Sequence, residues 1–172
     1  HQASMRDIAQ AAGVSLGNLY NHFPGKQALI LAAAELEQEA LQPLLQQLQE
    51  SEGHREQVQA CLHAFDALCR EPQWAVLSAE VLAECARNPD VARAFASNRT
   101  RLQQALADAL QAMAQRERRR PALPATLQAQ VLLDAIESAA LRAGLGQMAE
   151  PGTGPVDVLD PALLAALMGA RG

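Results

Sequence analysis

Residues 15–26, SLGNLYNHFPGK, gather hydrogen-bonding side chains on a short stretch with helical spacing. If Ser15 caps a helix, Leu19 and Phe23, four apart, face inward. Leu16, Gly17, Asn18, Tyr20, Asn21 and His22 are then left to reach outward. Upstream, Ser4 followed three residues later by Asp7 reads as an N-cap with an acid in the first turn. Ile8, Ala9 and Ala12 give that first helix an apolar stripe. Gly13 ends it, since the position past a helix C-terminus commonly needs φ > 0. Pro24-Gly25 stops the second helix. Two short helices around a glycine turn make the helix-turn-helix plan, which lays its second helix in the DNA major groove. By themselves these residues could equally cap and pack two helices of an ordinary bundle.

Other chemistry is sparse. No GxSxG, P-loop, GxGxxG or HExxH motif occurs, and His22, His54 and His63 lack ligand-like neighbours in sequence. No catalytic residue, metal or cofactor is expected, and the chain does not read as an enzyme. Glu80 and Glu84, one helical turn apart, could form an acid/base pair. The simpler reading makes them polar members of a ligand pocket, or partners for Arg87 or Arg99. Cys61, Cys69 and Cys85 have no CxxC spacing and fall at apolar positions of helical patterns, so they read as small core residues. The basic run Arg116-Glu117-Arg118-Arg119-Arg120 reads as solvated cations ending a helix rather than a nucleic-acid patch.

The elements that must position these groups are all helical. Apolar residues make up 49% of the 172, mostly Ala and Leu, and aromatics only 3%, a mix that favours helices. From Lys26 an amphipathic pattern runs through Leu29, Ile30, Ala33, Leu36, Ala40 and Leu41, with Glu35, Glu37, Gln38 and Glu39 largely outside the stripe. Pro43 should bend or break it before Leu44, Leu45 and Leu48 resume. Further helices are expected over about 55–70, 74–87, 90–115, 124–145 and 160–169. Asn88-Pro89-Asp90 and Asp160-Pro161 are start signals, and residues 144–155 read as a loop. No stretch approaches a membrane span, and HQASM carries no signal-peptide pattern, so a soluble cytoplasmic protein is the default. The net charge of −5 argues against wholesale coating of nucleic acid. Within residues 1–26, Arg6 and Lys26 against Asp7 leave a single net positive charge.

The stretch SMRDIAQAAGVSLGNLYNHFPGK resembles the DNA-binding region of TetR-type transcriptional regulators. The matching features are Ile8-Ala9, Ala12-Gly13-Val14-Ser15, Leu19-Tyr20, His22-Phe23 and Lys26; their ordered set, rather than any single residue, carries the likeness. The resemblance implies that Leu16, Gly17 and Asn21 lie near base edges, and that Ser15, Asn18, Tyr20, His22 and Lys26 hold phosphates. Leu16 departs from the polar residue often found there; it could meet a thymine methyl. The likeness also implies a first helix ahead of this segment, apparently missing here, packing beneath Ile8 and Leu19.

The expected architecture is therefore all-α: a helix-turn-helix DNA-binding region over 1–26, continuing into the helix from residue 26, and a helical effector-binding and dimerisation domain over 27–172. The resemblance puts a small-molecule effector among helices 55–70, 74–87 and 90–115, where Phe65, Trp74, Phe95 and Met113 offer apolar bulk and Glu80, Glu84, Asn98 and Arg99 are polar candidates. It puts the homodimer contact on the last two helices, through Val131, Ala135, Ser138, Ala139, Arg142, Leu164 and Leu167. The expected function is a ligand-responsive regulator, most simply a repressor released from double-stranded operator DNA by a small molecule. The alternative is a helical ligand-binding or interaction protein whose helix-turn-helix no longer binds DNA.

Overall fold

Helix-forming composition and proline- or glycine-marked breaks give, in the computed structural model, eight helices among the described residues. The structure describes residues 4–144 and 159–168, with the side chains of 72–77 and 79 set aside. In order these are α1 (Met5–Ala11), α2 (Leu16–His22), α3 (Lys26–Glu50), α4 (Arg55–Cys69), α5 (Pro72–Cys85), α6 (Pro89–Arg116), α7 (Ala125–Gly144) and α8 (Pro161–Met168). No described helix is long and apolar enough to cross a membrane.

The start signals act as their chemistry requires. Asn88 Oδ1 accepts from the backbone N–H of Asp90 (3.0 Å) and Val91, with Pro89 in the first turn of α6. Asp160 Oδ1 accepts from Ala162 and Leu163 at 2.8 and 3.1 Å, opening α8. Pro72 opens α5, where a missing N–H costs nothing. The loop expected over 144–155 lies, beyond Gly144, outside the described residues.

Pro43 does not break its helix: α3 runs through it from Lys26 to Glu50. Pro43 and Glu39 are both exposed, so the carbonyl that loses its donor is left to water rather than to the core. At the other end of α3, Glu52 and Gly53 both have positive φ, and a Cβ on Gly53 would lie 2.4 Å from the Met113 backbone nitrogen. Only glycine lets this turn press against α6. The bidentate pair from Arg55 to Glu117, at 2.8 and 2.6 Å, ties the start of α4 to the end of α6.

Helix α3 is the spine. Its first turn, through Leu29, meets a small core of Met5, Ala9 and Leu19 under α1 and α2. Ile30 and Leu31 then join Val81 of α5 and Val91 and Phe95 of α6. From Leu41 to Leu48 it enters the main core, where Val58, Leu62, Leu106, Leu110, Leu132 and Ile136 are almost fully buried.

Candidate functional site

The first candidate is α2 and its approach. In α1 the Ser4 hydroxyl accepts from Asp7 N–H (3.3 Å) while Asp7 Oδ2 accepts from Ser4 N–H (2.8 Å), a reciprocal capping box. The Ser4 hydroxyl also donates to Asp7 Oδ2 at 2.6 Å, and this bond first, with the Ser4 backbone N–H next, holds the Asp7 carboxyl below its usual range. Gly13, at φ 68°, makes the turn, with Val14 N–H donating to Ala9 carbonyl at 3.0 Å. Ser15 Oγ then accepts from Asn18 N–H at 3.1 Å, so this hydroxyl starts α2.

Leu19 is buried and Phe23 half-buried against the small core. Gly17, Asn18, Tyr20, Asn21 and His22 are exposed together, Tyr20 by 49%. Leu16 differs from the outward position expected of it: it lies half-buried against Met5, Ala9 and Leu19. Burying it removes apolar area from water, which pointing outward would forgo. Lys26 opens α3 half-buried, its Nζ 3.2 Å from Glu80 Oε2 on α5.

The second candidate is a cavity of about 530 Å³ enclosed by α3, α4, α5, α6 and α7. Its body is apolar, with Leu41, Phe65, Val81, Phe95, Leu102 and Leu141 on the wall. Four charged residues interrupt this lining: Glu37, Arg99, Asp134 and Glu137. The Arg99 guanidinium donates to Glu137 Oε1 (2.7 Å) and to Asp134 Oδ1. Across the gap, Asn98 Nδ2 donates to Glu37 Oε2 and to the Ala34 carbonyl, each at 2.8 Å. Burial pushes the Glu37 carboxyl up, opposed by the Asn98 bond and by Arg99. Glu137 is pushed up to about 7, by enclosure first, with Asp134 and Glu37 adding to it and Arg99 opposing. Its side chain is 44% accessible, so water reaches it within the cavity while protein still surrounds it.

Of the eight residues expected to hold an effector, Phe65, Phe95 and Arg99 line this cavity. Asn98 is buried behind it, holding Glu37 in place. Met113 is 2% exposed in the main core, beyond the cavity lining. Glu80 faces Lys26, and Glu84 pairs with Arg87 at 3.1 Å. Trp74 belongs to α5, but its side chain lies outside those described. Sequence reading missed Glu37, Asp134 and Glu137. Glu37 was legible as the charge that interrupts the row Ile30, Ala34, Glu37, Leu41, spaced four, three and four along one face of α3.

The cysteines divide. Cys61 is buried in the main core, whereas Cys69 and Cys85 are half-buried on the cavity wall. Burial pushes the Cys61 and Cys69 thiols up to about 12, with Glu137 and Asp66 adding to the effect at Cys69. Neither holds the thiolate that redox sensing needs. Among the described residues no group of three or more His, Cys, Asp or Glu could hold a metal ion.

On the α7 face, Ser138 and Arg142 are exposed and Val131, Ala135 and Ala139 half-buried. Leu164 does not present itself to a partner: at 2% exposure it packs into its own main core. Leu167 is half-buried, its carbonyl accepting from Gln128 Nε2 at 2.9 Å.

Residues 1–33 match the family described as bacterial regulatory proteins, tetR family. No curated protein gives a match. Three solved structures share the fold along nearly the whole chain. The transcriptional regulator FadR from Bacillus subtilis, in complex with stearoyl-CoA, has a TM-score of 0.68 at 17% identity, covering 100% of this chain and 90% of its own. A putative transcriptional regulator from Pseudomonas aeruginosa PAO1 gives 0.69 at 22% identity, over 98% and 82%. GusR from Salmonella enterica gives 0.62 at 23% identity, over 99% and 85%. The family match is confined to the N-terminal segment, and the whole chain shares the all-helical fold of these three structures.

Proposed function

We propose that this tetR-family chain is a ligand-responsive, DNA-binding transcriptional regulator: a cytoplasmic homodimer that represses from an operator and is released by a small molecule. The observation that carries the reading is the course of α3. Its first turn packs Leu29 into the small core under α1 and α2, and Glu37 and Leu41 of the same helix line the 530 Å³ cavity. A ligand that alters how α3 sits against α5 and α6 therefore acts on the element that holds the recognition helix. That FadR is a transcriptional regulator in complex with stearoyl-CoA lends support to a ligand-bound regulator of this fold.

In this reading α2 enters the major groove. Gly17 and Asn21 approach base edges, with Leu16 near them on the rim of its own core. Ser15, Asn18, Tyr20, His22 and Lys26 hold phosphates, contacts that position without specifying sequence. A second copy pairs through α7, using Val131, Ala135, Ser138, Ala139 and Arg142 with the exposed edge of α8 near Leu167. The effector selects the conformation whose recognition helices are misplaced for DNA.

The test is a gel shift of the protein on its own upstream DNA, followed by effector titration with and without that DNA. Coupling between two ligands is reciprocal, so operator must weaken effector binding by the factor by which effector weakens operator binding. Equal effector affinities in the two conditions exclude release by the ligand. No shift on any upstream fragment excludes the DNA-binding role.

A further inference from the structure

The charge on the cavity wall constrains what can occupy it. Arg99 is the one cation among the described lining residues, and its guanidinium is already engaged by Asp134 and Glu137. Three carboxylates share that lining with it. Among the described residues Glu37 has no comparable ion pair: its bonded partner is the neutral amide of Asn98, which is itself anchored to the Ala34 carbonyl. The amide thus fixes a carboxylate on the wall of an otherwise apolar chamber without neutralising it. The desolvation of this half-buried carboxylate is only partly opposed by Asn98 and Arg99, and a cation entering the cavity would offset the rest. An anionic group at the same place would meet three carboxylates and have to take Arg99 from its partners.

We propose that the cavity binds an apolar cation, with its positive group received by Glu37 and Glu137 and its hydrophobic body lying along Phe65, Phe95 and Leu141. This rests on the cavity being the effector site. The volume suits a small organic molecule, since such pockets run from about 300 to 1,000 Å³. Phe65 and Phe95 give the hydrophobic body apolar surface to cover.

A pH signature follows. The groups facing Glu137 are Arg99 from α6, Asp134 on its own helix, Glu37 from α3 and Cys69 from α4; Cys85 of α5 faces Glu37. Of these, Glu137 titrates near neutrality, and Glu37 is raised in the same direction. A permanently charged cation prefers both deprotonated. Its affinity therefore rises as pH passes upward through about 7, while a neutral ligand's does not.

The experiment is calorimetric titration of the full chain with four ten-carbon probes, each kept below its micellar concentration: decyltrimethylammonium, decanol, decanoate and decanoyl-CoA. Decyltrimethylammonium should bind at least tenfold more tightly than decanol, and decanoate and decanoyl-CoA more weakly than either. The advantage over decanol should grow from pH 6 to pH 8. Glu37→Gln, which can still accept from Asn98, should remove most of that advantage; Glu137→Gln serves if the first variant does not fold. Tighter binding of decanoate or decanoyl-CoA, no binding by any probe, or an advantage that both variants retain would overturn the proposal. A gel shift on the same preparation separates the two readings. Protein that shifts DNA but prefers an anion refutes the cation alone, whereas protein that prefers the cation but shifts no DNA refutes the regulator.

Discussion

At the scale of single residues, the position of Lys26 has the sharpest consequence. Its ammonium faces Glu80 at 3.2 Å, yet it also lies where a phosphate contact is proposed. Glu80→Gln should free it for DNA. The half-exposed pair is worth at most about 1 kcal/mol, so operator affinity should rise by up to roughly fivefold. An unchanged gel-shift midpoint would show that Lys26 does not exchange Glu80 for phosphate. Lys26→Ala and Tyr20→Ala should weaken binding by similar factors on operator and unrelated DNA, and Lys26→Ala should reduce the salt slope by about one. Wild-type affinity in both variants at moderate salt would refute the assignment of α2. The exposure of this face of α2 is legible in sequence because an exposed helix face needs no knowledge of the rest of the chain. The cavity acids were harder to read. Glu37 and Asn98 interrupt apolar rows on α3 and α6, and neither explains itself until the two helices are laid together.

At the scale of elements, the turn between α3 and α4 is the least tolerant joint. Gly53→Ala meets both a left-handed backbone and the Met113 nitrogen. It should cost about 2 kcal/mol or more, read as a lower denaturation midpoint with an unchanged m-value. A variant as stable as the parent would mean that the turn can leave α6. The caps of α1, α2, α6 and α8 were readable because each uses a side chain within three residues of the helix start. Pro43 misled because its local cost depends on whether the orphaned carbonyl faces water, which is a tertiary fact.

At the scale of the molecule, the main question is which faces remain for a second copy. Val131→Arg, on the half-buried side of α7, should give folded monomers in sedimentation, with the helical signal retained. Leu164→Arg should instead unfold the chain, because it puts a charge into the main core, where Leu164 is 2% exposed. Folded wild-type-like dimers from Val131→Arg would move the interface elsewhere. The two substitutions are indistinguishable in sequence, since both sites are apolar positions on amphipathic helices.

The stretch of α3 from Lys26 to Glu37 is continuous helix with no proline in it, and a continuous helix acts as a lever. The stretch from Glu37 back to Lys26 spans roughly 16 Å at the α-helical rise. A tilt of about 10° pivoting at the cavity would therefore carry its far end roughly 3 Å. In a symmetric pair the two ends would swing in mirrored senses about the two-fold, doubling the change in their separation. Half-sites on DNA repeat at about 34 Å and do not stretch to follow. A molecule lodged against Glu37 that tilts α3 by this amount would spoil the span of the whole calliper.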